Sequence, residues 1–346
     1  MSVSITSLLP YRSVAAAVGF ALLVLPELAL AQFTQQGPKL VGTLAVGTTV
    51  YQGQSVAVSA EGNTAIVGGY GDNSNAGAAW VYTRRNGVWT QQGSKLVGTG
   101  AVGKAFQGWS VSLSGDGNTA IVGGWSDNPV GVGVGFGIGA TWVYTRHNGV
   151  WTQQGSKLIG SGYVGPANQG WSVALSGDGN TAIVGGVTDN ADVGAAWVFT
   201  RSNGVWTQQG SKLLGSDRDT ISNTFQGWSV ALSADGNTAI VGGPDDSSDI
   251  GAAWVYVRSN GLWMQQGSKL VGTGGSRGFR QGISVGLSGD SNDAIVGSNG
   301  LGAWVYTPAA VSGLSKATSW STRAGPGLAS PSRCPATATP PSLARA

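Results

Sequence analysis

Apolar positions along this chain fall in short bursts, and the bursts recur in a fixed order. At residues 172–176, SVALS sets Val173 and Leu175 on one face and small residues on the other, the period-two alternation of a β-strand. TAIVGG at 181–186 is a continuous apolar run, which suits a strand buried on both faces. A third burst, AAWVFTR at 195–201, alternates Trp197 and Phe199 with Val198, and a more polar fourth, VWTQQGSKLLG, covers 205–215. Gly177-Asp178-Gly179-Asn180 and Ser202-Asn203-Gly204 link them with residues that accept positive φ, as tight hairpins require.

This four-strand unit repeats. QGWSVALSGDGNTAIVGG at 169–186 returns at 107–124 and 226–243, with looser copies at 52–69 and 281–297. Units begin at Phe33, Trp89, Trp151, Trp206 and Trp263, and the one long spacing comes from a glycine-rich insertion at 130–139. Four antiparallel strands repeated about an axis describe a β-propeller blade, and a twisted sheet that is apolar on both faces must stack on its neighbours. The expected fold is therefore all-β, a propeller with five repeats in this chain. A flat or helical β-array is the architectural alternative. Because the body opens with a fourth-type strand (33–42) and ends with a third-type strand (303–307), the first strand is expected to complete the last blade and close the ring.

The units GWSVALSGDGNTAIVGG and GAAWVFTRSNGVWTQQGSKL closely resemble bacterial FG-GAP-type repeats, related to the propeller domain of integrin α chains, over about 33–307. The motif is altered here: Phe-Gly becomes Phe106-Gln107-Gly108 and Phe225-Gln226-Gly227, and Gly-Ala-Pro becomes Gly242-Gly243-Pro244. The resemblance implies a propeller, commonly of more than five blades, carried by secreted or surface proteins and used for binding or adhesion. Family members that hold calcium do so with closely spaced Asp and Asn oxygens in one loop. The matching loops here, such as Asp72-Asn73-Ser74-Asn75 and Asp127-Asn128, lack the Asp-x-Asp-x-Asp-Gly pattern, and Ser298-Asn299-Gly300 has no carboxylate. The plain reading is that these residues make turns. Asp189 with Asp192 and Asp245 with Asp249 are the pairs that would best suit calcium, the one cofactor in view.

The two ends differ from the body. Residues 1–31 carry Arg12, an apolar core at 14–25 and Ala29-Leu30-Ala31 before Gln32, the layout of a secretory signal cleaved after Ala31. The product is expected to be secreted, periplasmic or on the cell surface, with no membrane span in its mature form. The tail, 308–346, is rich in Ser, Ala, Pro and Arg and has no acidic residue, which reads as disorder. Back-translated one base out of frame, however, 334–344 can be read as SGDGNTAIVG and 311–321 as VWTQQGNKLV. The tail is therefore expected to be a frameshifted remnant of a further repeat, and five blades a truncation of a larger propeller.

Charge excludes one class. The formal net charge of +3 belongs to the ends: without Arg12, Glu27, Lys316, Arg323, Arg333 and Arg345, the body holds 14 basic against 15 acidic residues. Nothing there favours nucleic acid. The lone cysteine, Cys334, permits no internal disulfide, and the lone histidine, His147, sits in a turn where other units have Arg85, Ser202 or Ser259.

If SVALS is the innermost strand, the Asp/Asn loop and the variable loop before QGWS emerge together, and variable loops on a regular scaffold are where binding resides. Trp109, Trp171 and Trp228 open the inner strand and would ring an aperture that stacks sugars. The alternative is that they pack between blades; units one and five carry Gln54 and Ile283 there. No nucleophile–base pair, metal cluster or phosphate loop is evident. The expected function is a non-catalytic binding or adhesion module, monomeric, taking an extracellular protein or glycan. A carbohydrate-active propeller enzyme and a purely structural surface repeat remain open.

Overall fold

The computed structural model describes residues 33–130, 136–300 and 302–308, together with the backbone of 320–322. The expected signal segment and most of the tail lie outside the described residues. Five four-stranded antiparallel sheets follow one another along the chain, each in the simple order one-two-three-four. Blade 1 holds β1 (Ser55–Val58), β2 (Thr64–Gly69), β3 (Ala78–Arg85) and β4 (Val88–Gln91). Blade 2 holds β5 (Ser110–Leu113), β6 (Thr119–Gly124), β7 (Ala140–His147) and β8 (Val150–Gln153). Blade 3 holds β9 (Gln169–Leu175), β10 (Thr181–Gly186), β11 (Ala195–Ser202) and β12 (Val205–Gln208). Blade 4 holds β13 (Ser229–Leu232), β14 (Thr238–Gly243), β15 (Ala252–Ser259) and β16 (Leu262–Gln265). Blade 5 holds β17 (Ser284–Leu287), β18 (Ala294–Gly297), β19 (Ala303–Pro308) and β20 (Trp320–Thr322). These are propeller blades, as the strand pattern predicts.

Both faces of each inner blade are buried, as stacking requires. Ile66 and Val81 of blade 1 pack with Val111, Leu113 and Trp142 of blade 2, and Ile240 and Val255 of blade 4 pack with Val285, Leu287 and Tyr306 of blade 5. The Gly-Gly that ends the second strand permits a backbone approach between blades. A Cβ on Gly185 would fall inside the carbonyl oxygen of Gly227, and Gly68, Gly123 and Gly242 meet the next blade in the same way. Beside this contact Ser55, Ser110, Ser172 and Ser229 each donate a hydroxyl to the next blade's glycine carbonyl at 2.7–2.8 Å. At the other end of the inner strands, backbone N–H groups of Ala60, Gly115, Gly177 and Ala234 each donate to the following blade, at Gly115, Gly177, Ala234 and Gly289.

Three details depart from the sequence reading. The fourth strand stops early: β12 ends at Gln208, Gly210 turns the chain at φ 75°, and only Leu213 returns to bridge Ala196. The first segment does not close the ring. Residues 33–42 form no strand; Gly42 instead lies on the indole of Trp80, and Leu40 packs on blade 1. The place beside β19 is taken by β20, part of the tail expected to lack structure, with Tyr306 opposite Thr322 in the register that sets Tyr256 opposite Gln265 in blade 4. The end faces consequently stay open. Val56 is 41% exposed where its blade 2 counterpart Val111 is 3%, and Ile295 is 44% exposed where Ile240 is 0%.

Candidate functional site

The rim at which the variable loops emerge rests on one recurring joint, complete in blades 2 and 3 and altered in blade 4, where Trp254 donates to the Asp217 carboxylate and Gln226 makes only one of its two bonds among the described residues. The third-strand tryptophans Trp80, Trp142, Trp197 and Trp254 are wholly buried, and a glycine (Gly42, Gly98, Gly160, Gly215) lies flat on each ring, where any side chain would strike the indole. A buried glutamine then clamps that glycine. Gln107 accepts the Gly98 N–H at 2.5 Å and donates to its carbonyl at 3.2 Å, and Gln169 does the same for Gly160 at 2.6 and 2.9 Å. The indole N–H finishes the joint by donating to the next carbonyl, Thr99 for Trp142 and Ser161 for Trp197. The start of each variable loop is thus held rigidly against its blade.

Two positions around the glutamine place side chains at the rim. The residue before it, Tyr51, Phe106, Asn168, Phe225 or Arg280, has φ of 51–56° in all five blades. Asn tolerates that region, whereas bulky side chains pay roughly 1–2 kcal/mol there. Local strain repeated at one rim position, and filled with an aromatic or cationic group in every blade but the third, where Asn168 is buried, marks a place where the side chain matters more than the backbone. Two residues after the glutamine come Trp109, Trp171 and Trp228, each half-buried.

The rings form one continuous contact series across four blades. Tyr51 stacks on Tyr70 with centroids 4.7 Å apart and planes 8° apart. Tyr70 reaches Trp109 at 5.1 Å, Trp109 reaches Trp171 at 5.0 Å, and Trp171 reaches Trp228 at 5.1 Å. Phe106 stacks on Trp125, which also edges against Trp109 and Trp171. Arg280 of blade 5 ends the series, its guanidinium 5.5 Å from the centre of the Trp228 ring. The structure therefore brings Trp109, Trp171 and Trp228 together, packed on one another between blades yet each retaining exposed surface. Tyr51, Tyr70, Phe106, Trp125, Phe225 and Arg280 join them. Aligning the units at Gln-Gly would have exposed this set, since each member sits at a fixed offset from that pair or just after the Gly-Gly.

The Asp/Asn loops lie on the same rim, and those of blades 1, 3 and 4 close into single left-handed turns, with positive φ at Asn73, Ser74 and Asn75, at Asn190, Ala191 and Asp192, and at Ser247, Ser248 and Asp249. The leading carboxylate of each is buried and fully engaged. Asp189 accepts the Val164 N–H at 2.7 Å through one oxygen and the Lys212 ammonium at 2.5 Å through the other. Asp72 accepts from the Lys95 ammonium and the Val46 N–H, Asp127 from Lys157 and the Val102 N–H, and Asp246 from Lys269 and the backbone N–H of Asp219. A lysine thus stands where a cation would be sought. Asp192, with φ of 68°, offers its backbone carbonyl to Thr224 and Phe225. Asp245 binds Arg280 at 2.6 Å, and Asp249 stands 3.9 Å from Arg277. Among the described residues no cluster of three or more His, Cys, Asp or Glu converges on a metal position.

One corner of the rim is polar. Ser222, Asn223, Asp245, Ser248, Asp249 and Arg277 line an open recess beside the Arg280 end of the aromatic series. Burial raises the Asp245 carboxyl above the usual range; Arg280 opposes the shift without cancelling it, and Asp249 adds to it. Sequence reasoning named Asp245 and Asp249; Arg277 and Arg280, from the variable loop before blade 5, join them only in the fold.

No family model matches the chain, and no curated protein matches it. Solved structures do. A Bacteroides uniformis protein assigned as a 6-phosphogluconolactonase aligns over 77% of this chain and 68% of its own, with a TM-score of 0.50 and 14% identity. TolB from Acinetobacter baumannii aligns over 73% of this chain, which spans about half of TolB, with a TM-score of 0.36 and 11% identity. The first likeness agrees with the blade architecture and extends to the fold alone.

Proposed function

We propose that this chain is an exported propeller of the FG-GAP type that binds extracellular glycans across its aromatic rim, without catalysing a reaction on them. The observation that carries the reading is the series of touching rings from Tyr51 to Trp228. Sugars present flat C–H faces that stack on aromatic rings, and tilted neighbouring rings give a chain of residues several places to rest. Such rings also bind without losing much side-chain entropy. Arg280, Asp245 and the recess beside them supply hydroxyl partners at one end. Export rests on the signal-like residues 1–31; no helix among the described residues is long and apolar enough to cross a membrane. A glycan array probed with the purified protein and with Trp171→Ala tests the reading. Signals that fall in the variant support it, and an array without signals would favour a purely structural repeat.

A carbohydrate-active enzyme is the second reading, favoured by the raised carboxyl of Asp245 and its neighbour Asp249. The lactonase assignment of the Bacteroides uniformis chain points to sugar lactones as first substrates to try. Turnover that disappears in Asp245→Asn would replace the binding reading with this one.

A further inference from the structure

The two open ends of the blade stack are opposite halves of one interface. Between every pair of neighbours, Ile and Val from the second and third strands of one blade meet Val and Leu from the inner strand of the next. Blade 5 presents the first half, Ile295 and Val305, with no blade against it among the described residues. Blade 1 presents the second, Val56 and Val58. All four are 37–44% exposed, although this composition is buried at each of the four internal junctions.

Hydrogen-bonding groups at the ends are complementary too, and they have a direction. At each junction the earlier blade donates a serine hydroxyl and an inner-strand N–H, and the later blade accepts with a glycine carbonyl and the carbonyl one place past the inner-strand serine. Blade 5 therefore carries Ser284 and the Gly289 N–H as donors with no acceptor blade beyond them among the described residues. Blade 1 carries the Gly53 and Ala60 carbonyls as acceptors with no donor blade before them among the described residues. Two copies of one end would set donors against donors or acceptors against acceptors, which leaves desolvated polar groups unpaired.

We infer that the blade 5 face docks on the blade 1 face of a second copy of this chain, head to tail, repeating the junction already present four times within the molecule. The occupant is chosen by continuity with that junction: it fits the apolar residues and the donor–acceptor polarity, and this chain carries both halves. Such a contact is heterologous, so copies add at either end until a ring closes or a filament grows. A monomer, the simplest expectation from the sequence, leaves both faces in water.

Sedimentation velocity on the whole purified chain, between about 1 and 100 μM, tests this, with Val56→Asp/Val58→Asp and Ile295→Asp/Val305→Asp as single-end variants. All four positions are already partly exposed, so circular dichroism and melting temperature serve to verify that each variant stays folded. The wild type is expected to grow in mass with concentration, each variant alone to remain monomeric, and an equimolar mixture of the two to stop at a dimer, because each partner supplies one intact end. A wild type that stays monomeric across the range overturns the inference. So does either variant self-associating alone, which would show like faces meeting.

Discussion

The Ser172 hydroxyl donates to the Gly227 carbonyl at 2.7 Å, across the boundary between blades 3 and 4. It lies beside Gly185, where a Cβ would collide with that same carbonyl oxygen. Gly185→Ala must therefore push two backbones apart and is expected to cost about 3 kcal/mol, the upper part of the overpacking range. Ser172→Ala loses one buried hydrogen bond and is expected to cost about 1 kcal/mol. Urea denaturation of both variants gives the comparison, with the glycine the worse by a clear margin.

Third-strand tyrosines contribute a stabilising substitution. The hydroxyls of Tyr144 and Tyr256 are buried with no hydrogen-bond partner among the described residues, and burial pushes both well above the ordinary tyrosine range. Phe199 fills the same position in blade 3 with the ring alone. Tyr144→Phe and Tyr256→Phe are expected to leave stability unchanged or raise it by up to about 1 kcal/mol each, read as melting temperature.

The buried lysine–aspartate pairs behave oppositely. Lys212→Met leaves the Asp189 carboxylate buried with one oxygen unpaired, and is expected to cost about 2–3 kcal/mol; the retained Val164 hydrogen bond and the 19% exposure of Lys212 keep it below a fully buried pair. Adding Asp189→Asn should recover part of the loss. Because lysine already neutralises Asp189, millimolar calcium is expected to leave the wild-type melting temperature unchanged, which differential scanning fluorimetry will read directly.

Acid sensitivity follows from the hairpin aspartates. Burial pushes Asp116 and Asp178 upward, but hydrogen bonds from Ser114 and Asn118, and from Ser176 and Asn180, outweigh it and leave both below their ordinary value, with Arg146 and Arg201 assisting. A carboxylate lowered on folding contributes stability that is complete above its unfolded value of about 3.9 and is lost as pH falls through the folded one. Asp245, raised on folding by burial, has the opposite sign: its contribution is present below the unfolded value and lost as pH rises through the folded one. Melting temperature should therefore fall between about pH 4 and 2. Asp178→Asn should flatten that fall by about 1–2 °C, a small effect because Asp178 is exposed.

The blades were legible in the sequence because each local choice agrees: Gly-Asp-Gly-Asn can only turn, and Thr181 to Gly186 can only be a buried strand. What was not legible depended on a neighbouring blade. The lysine that pairs with Asp189 lies 23 residues further along the chain, and nothing local links the two. Residues 33–42 resemble a fourth strand, but a fourth strand needs a third one beside it, and Ala303 at that place bridges no residue of the segment among the described contacts. Trp171 was legible as an inner-strand residue, yet whether it packs or stays exposed depends on Trp109 and Trp228 from adjacent blades; in the fold it packs on both and remains half-buried.

Isothermal titration of the strongest array ligand into four single variants tests the rim most directly. Trp109→Ala, Trp171→Ala and Trp228→Ala are each expected to weaken binding at least tenfold, a loss of about 1.4 kcal/mol or more. Trp206→Ala, at the opposite end of blade 3 where the ring lies under Arg201, is expected to keep the affinity within twofold. Affinity unchanged in the three rim variants, or lost equally in all four, would contradict binding across the aromatic rim.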